Sequence, residues 1–217
     1  MRHRLAVLAL VAALGVAAPV QAAGLSGMGA ALFGNTFNFG KPNLSKPMVK
    51  TITVGSMKME LQHTKLTDIR KAFGGTIQTQ GENKTLVSWL CYQTDGSKDP
   101  ATATWFISNI LGGGEFVMIV AVQAANLAKM PGDCEAASPK FAAPNLGIPG
   151  VGATLAELKA AFGAARGNKI AYRADEPGAD ALGTAMNAQY IGYMLSGGKV
   201  TGYGAGETSV PAAPPKN

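Results

Sequence analysis

The stretch LTDIRKAFG at residues 66–74 returns later in the chain as LAELKAAFG at residues 155–163. In each copy a leucine, an aliphatic residue three positions on and a phenylalanine seven positions on fall on one face of an α-helix. The glycine that closes each copy stands where helices commonly end in a left-handed cap. The chain therefore contains two copies of one amphipathic helix, and each copy begins a repeat.

Strand-like segments follow each helix in a similar order, and a glycine turn separates the last two segments of each copy. The two turns are LGGGEF at 111–116 and LSGGKV at 195–200. The predicted strands are 84–92, 103–110 and 115–123 in the first copy, and 169–173, 189–195 and 199–203 in the second. We predict an α+β protein of two tandem αβββ repeats, with the helices on one face of a mostly antiparallel sheet.

Composition divides the rest of the chain. Two arginines, an uncharged apolar run at 5–18 and small residues at 19–22 are typical of a secretory signal, and the run is too short for a membrane-spanning helix. We therefore expect a periplasmic or secreted protein of the bacterial envelope without a transmembrane span.

The predicted parts are a signal peptide (1–22), a mobile or loosely docked Gly/Pro-rich lead-in (23–49), the first repeat with an N-terminal hairpin (50–123), a Pro-rich linker (124–149), the second repeat (150–204) and a disordered tail (205–217).

The chain has two cysteines, Cys91 and Cys134. In an oxidising compartment they have one intramolecular pairing open to them, and such a bond stabilises a fold by about 2 to 4 kcal/mol. A redox or metal-binding pair is the alternative, but there is no C-x-x-C and no histidine beside either cysteine. We predict a structural disulfide that ties the linker to the first repeat.

The formal net charge is +6, and the excess is concentrated in residues 41–71. Such a patch attracts anionic lipid headgroups, polysaccharide or acidic protein surfaces, whereas a solvated lysine face that only confers solubility is the simpler interpretation. Nucleic acid is not expected, because the compartment is wrong and no recognised binding motif is present. The basic residues selected for the patch are Lys50, Lys58, Lys65, Arg70 and Lys71.

Catalytic patterns are lacking. His63 is the one histidine that remains after removal of a signal peptide, and no carboxylate or cysteine stands at ligand spacing from it. The G-x-S-x-G pattern of serine hydrolases does not occur, and the glycine-rich run at 147–154 has alanine where a phosphate-binding loop needs lysine. We expect no enzyme activity, no cofactor and no metal.

A sheet with helices on one side leaves its other face free for a partner. Tyrosine and tryptophan are favoured at interfaces because they bury a large area and keep a polar group. We therefore predict a binding module that recognises a protein partner through the sheet face. The alternative is an envelope-surface protein that holds anionic lipid or polysaccharide through residues 41–71. The residues selected for the protein interface are Trp105, Tyr190, Tyr193 and Tyr203.

The segment GIPGVGATLAELKAAFG at 147–163 resembles the helix-opening signature G-x-T-x-x-E-[LV]-x-x-x-[LF]-G of the SmpA/OmlA outer-membrane family, which is BamE-type. The tandem arrangement is similar to the repeats of the β-lactamase-inhibitory-protein family, which has two helix-plus-sheet units. The likeness covers about 17 residues closely and the rest as an order of elements. It implies a tandem protein-binding sheet.

Overall fold

The computed structural model describes residues 24–34, 36–97, 100–110, 113–178 and 185–211. The predicted signal peptide, residues 111–112 of the first glycine turn and residues 212–217 of the predicted tail lie outside the described residues. In chain order the elements are α1 (Gly27–Phe33), β1 (Ile52–Val54), β2 (Met57–Met59), α2 (Leu66–Phe73), β3 (Gln78–Gln80), a 3₁₀ turn (Asn83–Thr85), β4 (Val87–Gln93), β5 (Thr102–Asn109), β6 (Ile119–Ala124), β7 (Glu135–Ala136), α3 (Leu155–Phe162), β8 (Lys169–Pro177), β9 (Ala185–Ser196) and β10 (Lys199–Pro211).

The two repeat helices, α2 and α3, form where the sequence predicts them. Each ends at a glycine with positive φ, 84° at Gly74 and 87° at Gly163. The predicted capping box opens α3: the backbone N–H of Thr154 donates to Glu157 Oε2 at 2.7 Å, and the N–H of Glu157 donates to Thr154 Oγ1 at 3.3 Å. Reciprocal bonds of this kind satisfy donors that a helix start leaves unpaired.

Eight of the strands that the structure describes form one sheet. Seven lie in the order β3-β4-β5-β6-β10-β9-β8 and are antiparallel throughout, and β7 pairs parallel with β4. The last strands of the two repeats, β6 and β10, pair at the centre with Tyr203 opposite Val122. Both αβββ units therefore belong to one continuous sheet, and the α+β class is confirmed. The predicted N-terminal hairpin is β1–β2, with Val54 opposite Met57.

Alternation along the strands separates two apolar cores. In β4, Leu90 and Tyr92 belong to the core beneath α2, α3 and the β1–β2 hairpin, whereas Trp89 and Cys91 belong to the core beneath α1. Successive strand residues point to opposite sides of a sheet, so the two cores lie on opposite faces. We call them the helix face, which carries α2 and α3, and the α1 face.

The lead-in differs from the prediction. Residues 24–34 and 36–39, here named the α1 segment, lie packed across the α1 face with Met28, Leu32 and Phe37 buried. The chain then turns around the β8 edge, where the backbone N–H of Asn43 donates to the carbonyl of Arg173 at 2.9 Å. The sequence pattern does not predict α1 because the helix is short and contains Gly27 and Gly29, which lower helix propensity. Its stability comes from packing on the sheet.

The predicted tail is also corrected. β10 continues to Pro211, so residues 205–211 are part of the strand rather than a disordered end. Glycine recurs at every second position, as Gly202, Gly204 and Gly206. Such residues suggest the end of a strand, but here the strand continues through them and its side chains still alternate between the two faces. These glycines place small residues on the α1 face and leave Tyr203 and Ala205 in the helix-face core.

Cys91 and Cys134 form a disulfide, with their Cα atoms 4.4 Å apart. The pairing joins β4 to the linker, as predicted, and is compatible with an extracytoplasmic location. Among the residues that the structure describes, no helix is long and apolar enough to cross a membrane.

Candidate functional site

Three of the four aromatic residues predicted for the interface are buried inside the fold. Tyr193 and Tyr203 stack on the helix face with ring centroids 6.0 Å apart, and the hydroxyl of Tyr203 donates to the carbonyl of Pro144 at 3.2 Å. Trp105 lies under α1 on the opposite face and has no exposed surface. These three side chains are core residues, because the linker and α3 cover one face of the sheet and the α1 segment covers the other.

Tyr190 is the exception. It lies on the α1 face, half-buried, with its ring centroid 5.0 Å from that of Phe39 and 5.5 Å from Arg173 Cζ. Arg173 is itself held by Asp175, through Nε to Oδ1 at 2.7 Å and Nη2 to Oδ2 at 3.0 Å. A planar, bidentate pair of this kind fixes the guanidinium against the aromatic ring.

Beside Tyr190 lies a cavity of about 360 Å³ between the α1 segment and the sheet. Ligand pockets in proteins run from roughly 300 to 1,000 Å³ and are lined mainly by apolar and aromatic groups. Phe33 is 38% exposed at this cavity. The apolar residues that line it are Leu32, Phe33, Phe37 and Phe39 from the α1 segment, and Met118, Ile119 and Tyr190 from the sheet.

Glycines in β9 and β10 set how closely the α1 segment approaches. A Cβ atom at Gly192 would lie 2.7 Å from Leu32 Cδ2, and one at Gly204 would lie 2.6 Å from Leu32 Cδ1. Glycine inside a strand often marks the close approach of another backbone or ligand. This alternation of glycines was the signal in the sequence from which a covered face could have been predicted.

The predicted basic residues lie on the other side of the molecule, on the β1–β2 hairpin, on α2 and just before each. Lys50, Lys58, Arg70 and Lys71 are exposed. Lys65 is paired instead: its Nζ lies 2.8 Å from Glu115 Oε1 and 5.4 Å from the centroid of Phe116. Its hydrogen bond to Glu115 raises the pKa of Lys65, which stays positively charged. The negative charge of Glu115 offsets it, so the pair adds no net charge to the predicted patch.

Groups for acid–base or metal chemistry are sparse. His63 is exposed, and its Nδ1 lies 3.0 Å from the carbonyl oxygen of Leu61. Within the described ranges, no group of three histidine, cysteine or carboxylate side chains is placed to hold a metal ion. The cavity itself combines its apolar and aromatic lining with the polar side chains of Asn109, Glu207 and Thr208.

Comparison with known proteins adds no assignment: no family model, no curated protein and no solved structure matches the chain.

Proposed function

We propose that this chain is an exported, non-enzymatic binding module that recognises a protein partner on the α1 face. The observation that carries the proposal is the apolar cavity between the α1 segment and β9–β10, with Phe33 and Tyr190 at its rim. Large aromatic side chains that pack into pockets near the centre of an interface are typical binding hot spots. The leader-like residues 1–22 and the disulfide support export to the periplasm or the medium.

The partner contributes an apolar side chain. A cavity of about 360 Å³ accepts one or two large aliphatic or aromatic groups, and it offers mainly carbon surface. The Arg173–Asp175 pair near Tyr190 supplies a polar margin, as protein interfaces usually have around an apolar centre.

The likeness of residues 147–163 to the SmpA/OmlA helix signature, and of the tandem arrangement to β-lactamase-inhibitory-protein repeats, is consistent with a binding role for the sheet. The site proposed here differs from a bare sheet face, since the α1 segment forms one wall of it.

Binding of anionic lipid or polysaccharide is the second candidate. Exposure of Lys50, Lys58, Arg70 and Lys71 on the side that carries α2 favours it. Surface charge of this kind acts over about a Debye length, roughly 8 Å at physiological ionic strength, so this binding falls with added salt.

Site-specific photo-cross-linking separates the two. A benzophenone amino acid replaces Phe33 at the cavity, Lys58 on the basic side or Ala160 on the exposed side of α3, and each protein is irradiated with envelope extract. A discrete protein adduct at position 33, absent at 58 and 160, supports the proposal. Adducts at position 58 alone favour the basic surface, and equal adducts at all three positions mean non-specific contact and overturn the proposal.

A further inference from the structure

Asp133 is fully buried and lies against Ser26, at the start of the α1 segment. Its Oδ2 accepts the backbone N–H of Ser26 at 3.1 Å and the indole N–H of Trp105 at 2.9 Å. Its Oδ1 accepts the hydroxyl of Ser26. One carboxylate therefore satisfies donors from both the segment and the sheet beneath it, and buried charges persist only where they are hydrogen-bonded in this way.

The disulfide holds Asp133 in place. Its neighbour Cys134 is bonded to Cys91 of β4, and the two residues that follow pair with β4 as β7. The carbonyl oxygen of Asp133 accepts Gln78 Nε2 at 2.6 Å. Asp133 is thus held to the sheet by the disulfide of its neighbour Cys134 and by hydrogen bonds of the flanking chain.

From this anchor the α1 segment runs to the cavity. The N–H of Met28 donates to Gln123 Oε1 at 2.9 Å, and α1 then places Leu32 and Phe33 at the cavity wall. At the far end Leu32 packs over Gly192 and Gly204, and Arg173 Nη1 donates to the carbonyl of Phe39 at 3.1 Å. The contacts of Ser26 therefore fix the N-terminal end of the wall.

We propose that Asp133 is a positioning residue for the binding site: through Ser26 it fixes the α1 segment as one wall of the cavity, and the Cys91–Cys134 disulfide fixes Asp133. The consequence for partner binding rests on the proposed function, whereas the coupling between Asp133 and the segment does not. The disulfide thereby controls a wall formed by residues about 100 positions away in sequence, on a face that both repeats share.

The chemistry predicts which substitutions release the segment. In Asp133→Asn the side chain keeps one acceptor oxygen and presents an NH₂ group to the N–H and O–H donors of Ser26 and Trp105. Ser26→Ala removes one donor and leaves the sheet core intact. Ser26→Thr keeps the hydroxyl and serves as the conservative rescue.

Hydrogen–deuterium exchange on the full mature chain tests the coupling. The amides of Ala30 and Gly34 donate within α1, each at 2.9 Å, and report on its opening. We expect these amides to exchange about tenfold faster in Asp133→Asn and several-fold faster in Ser26→Ala, with wild-type rates in Ser26→Thr. Asp68→Asn, which alters a single exposed carboxylate bond from the backbone N–H of Lys65 on the helix face, is the control and leaves α1 unchanged.

Reduction of the disulfide, or the pair Cys91→Ser with Cys134→Ser, gives the same local acceleration in α1. Unchanged exchange in α1, or an equal rise across every strand, overturns the proposal. The photo-adduct at position 33 is measured in the same proteins. If α1 opens and the adduct yield stays the same, Asp133 positions the segment but the cavity is not the binding site. If α1 opens and the yield falls, both inferences stand.

Discussion

The indole of Trp105 and the carboxylate of Asp133 meet beneath α1, with Nε1 donating to Oδ2 at 2.9 Å and neither residue exposed. This contact places Trp105 in the structural core of the α1 face. Its role is then to support the segment that forms the site.

Substitution of Trp105 tests this assignment. Trp105→Ala leaves a large void and removes one of the three hydrogen bonds that Asp133 accepts from Ser26 and Trp105, and we expect a loss of about 3 to 5 kcal/mol in the free energy of unfolding, measured by urea denaturation. Tyr190→Ala, at the half-buried rim, should cost about 1 kcal/mol or less. A smaller loss for Trp105→Ala than for Tyr190→Ala would mean that the tryptophan is not part of the core.

The fit between Gly192 and Leu32 gives a second prediction. Gly192→Ala places a methyl group against Leu32 Cδ2 and should destabilise the protein by about 1 to 3 kcal/mol. In a Leu32→Ala background the same change should cost at least about 1 kcal/mol less, because the closest contact is gone and only the looser one with Phe37, at 3.1 Å, remains. Additive effects in this double-mutant cycle would show that the α1 segment does not lie on Gly192.

Much of the helix face follows from the sequence alone. The spacing of Leu66, Ile69 and Phe73 makes one buried stripe, and Thr154 with Glu157 marks a helix start, so local signals suffice there. The two-residue alternation likewise predicts most strands.

The α1 face could not be predicted in the same way. Gly27 and Gly29 disfavour a helix. α1 forms because it packs on Trp105 and because Asp133 and Gln123 accept hydrogen bonds from Ser26 and Met28. Those partners are distant in sequence. The glycines at alternate positions of β10 indicate a covered face, but they do not identify the segment that covers it. The interface assignments of Trp105, Tyr193 and Tyr203 failed because composition does not tell which side of an alternating strand is covered.

Alkaline titration probes the buried phenols. Burial raises the pKa of Tyr203 to about 12 and raises the pKa values of Tyr92 and Tyr193 further. The folded state therefore prefers the neutral phenol, and the stability that these groups contribute is complete below about pH 10 and is lost as the pH rises through their folded values. Absorbance at 295 nm should rise at higher pH in the native protein than in urea. Coincident curves would contradict this burial.

Glu207 gives the corresponding effect at acidic pH. Burial is the main reason that the pKa of Glu207 is raised, and the hydrogen bond from Gln189 Nε2, at 3.5 Å, opposes it only in part. Compared with Glu207→Gln, the wild type keeps its full stability at pH values below the ordinary pKa of a carboxyl group. It loses stability as the pH rises through the raised pKa that Glu207 has in the folded protein. Glu207→Gln should therefore be the more stable protein at pH 7, and the difference should disappear near pH 4. A less stable variant at pH 7 would contradict the prediction.

The central claim is that the α1 face, with its segment in place, binds a protein partner. The most direct test measures how tightly the protein captured at position 33 binds to three forms of the chain, at low and at physiological salt. The three forms are the wild type, the double variant Phe33→Ser with Tyr190→Ala, and a variant with Lys50, Lys58, Arg70 and Lys71 changed to glutamine. We predict at least about a tenfold loss with the aromatic substitutions, near wild-type affinity with the glutamine variant, and little salt dependence. Affinity that survives the aromatic substitutions but collapses with salt or with the glutamine variant would contradict the account.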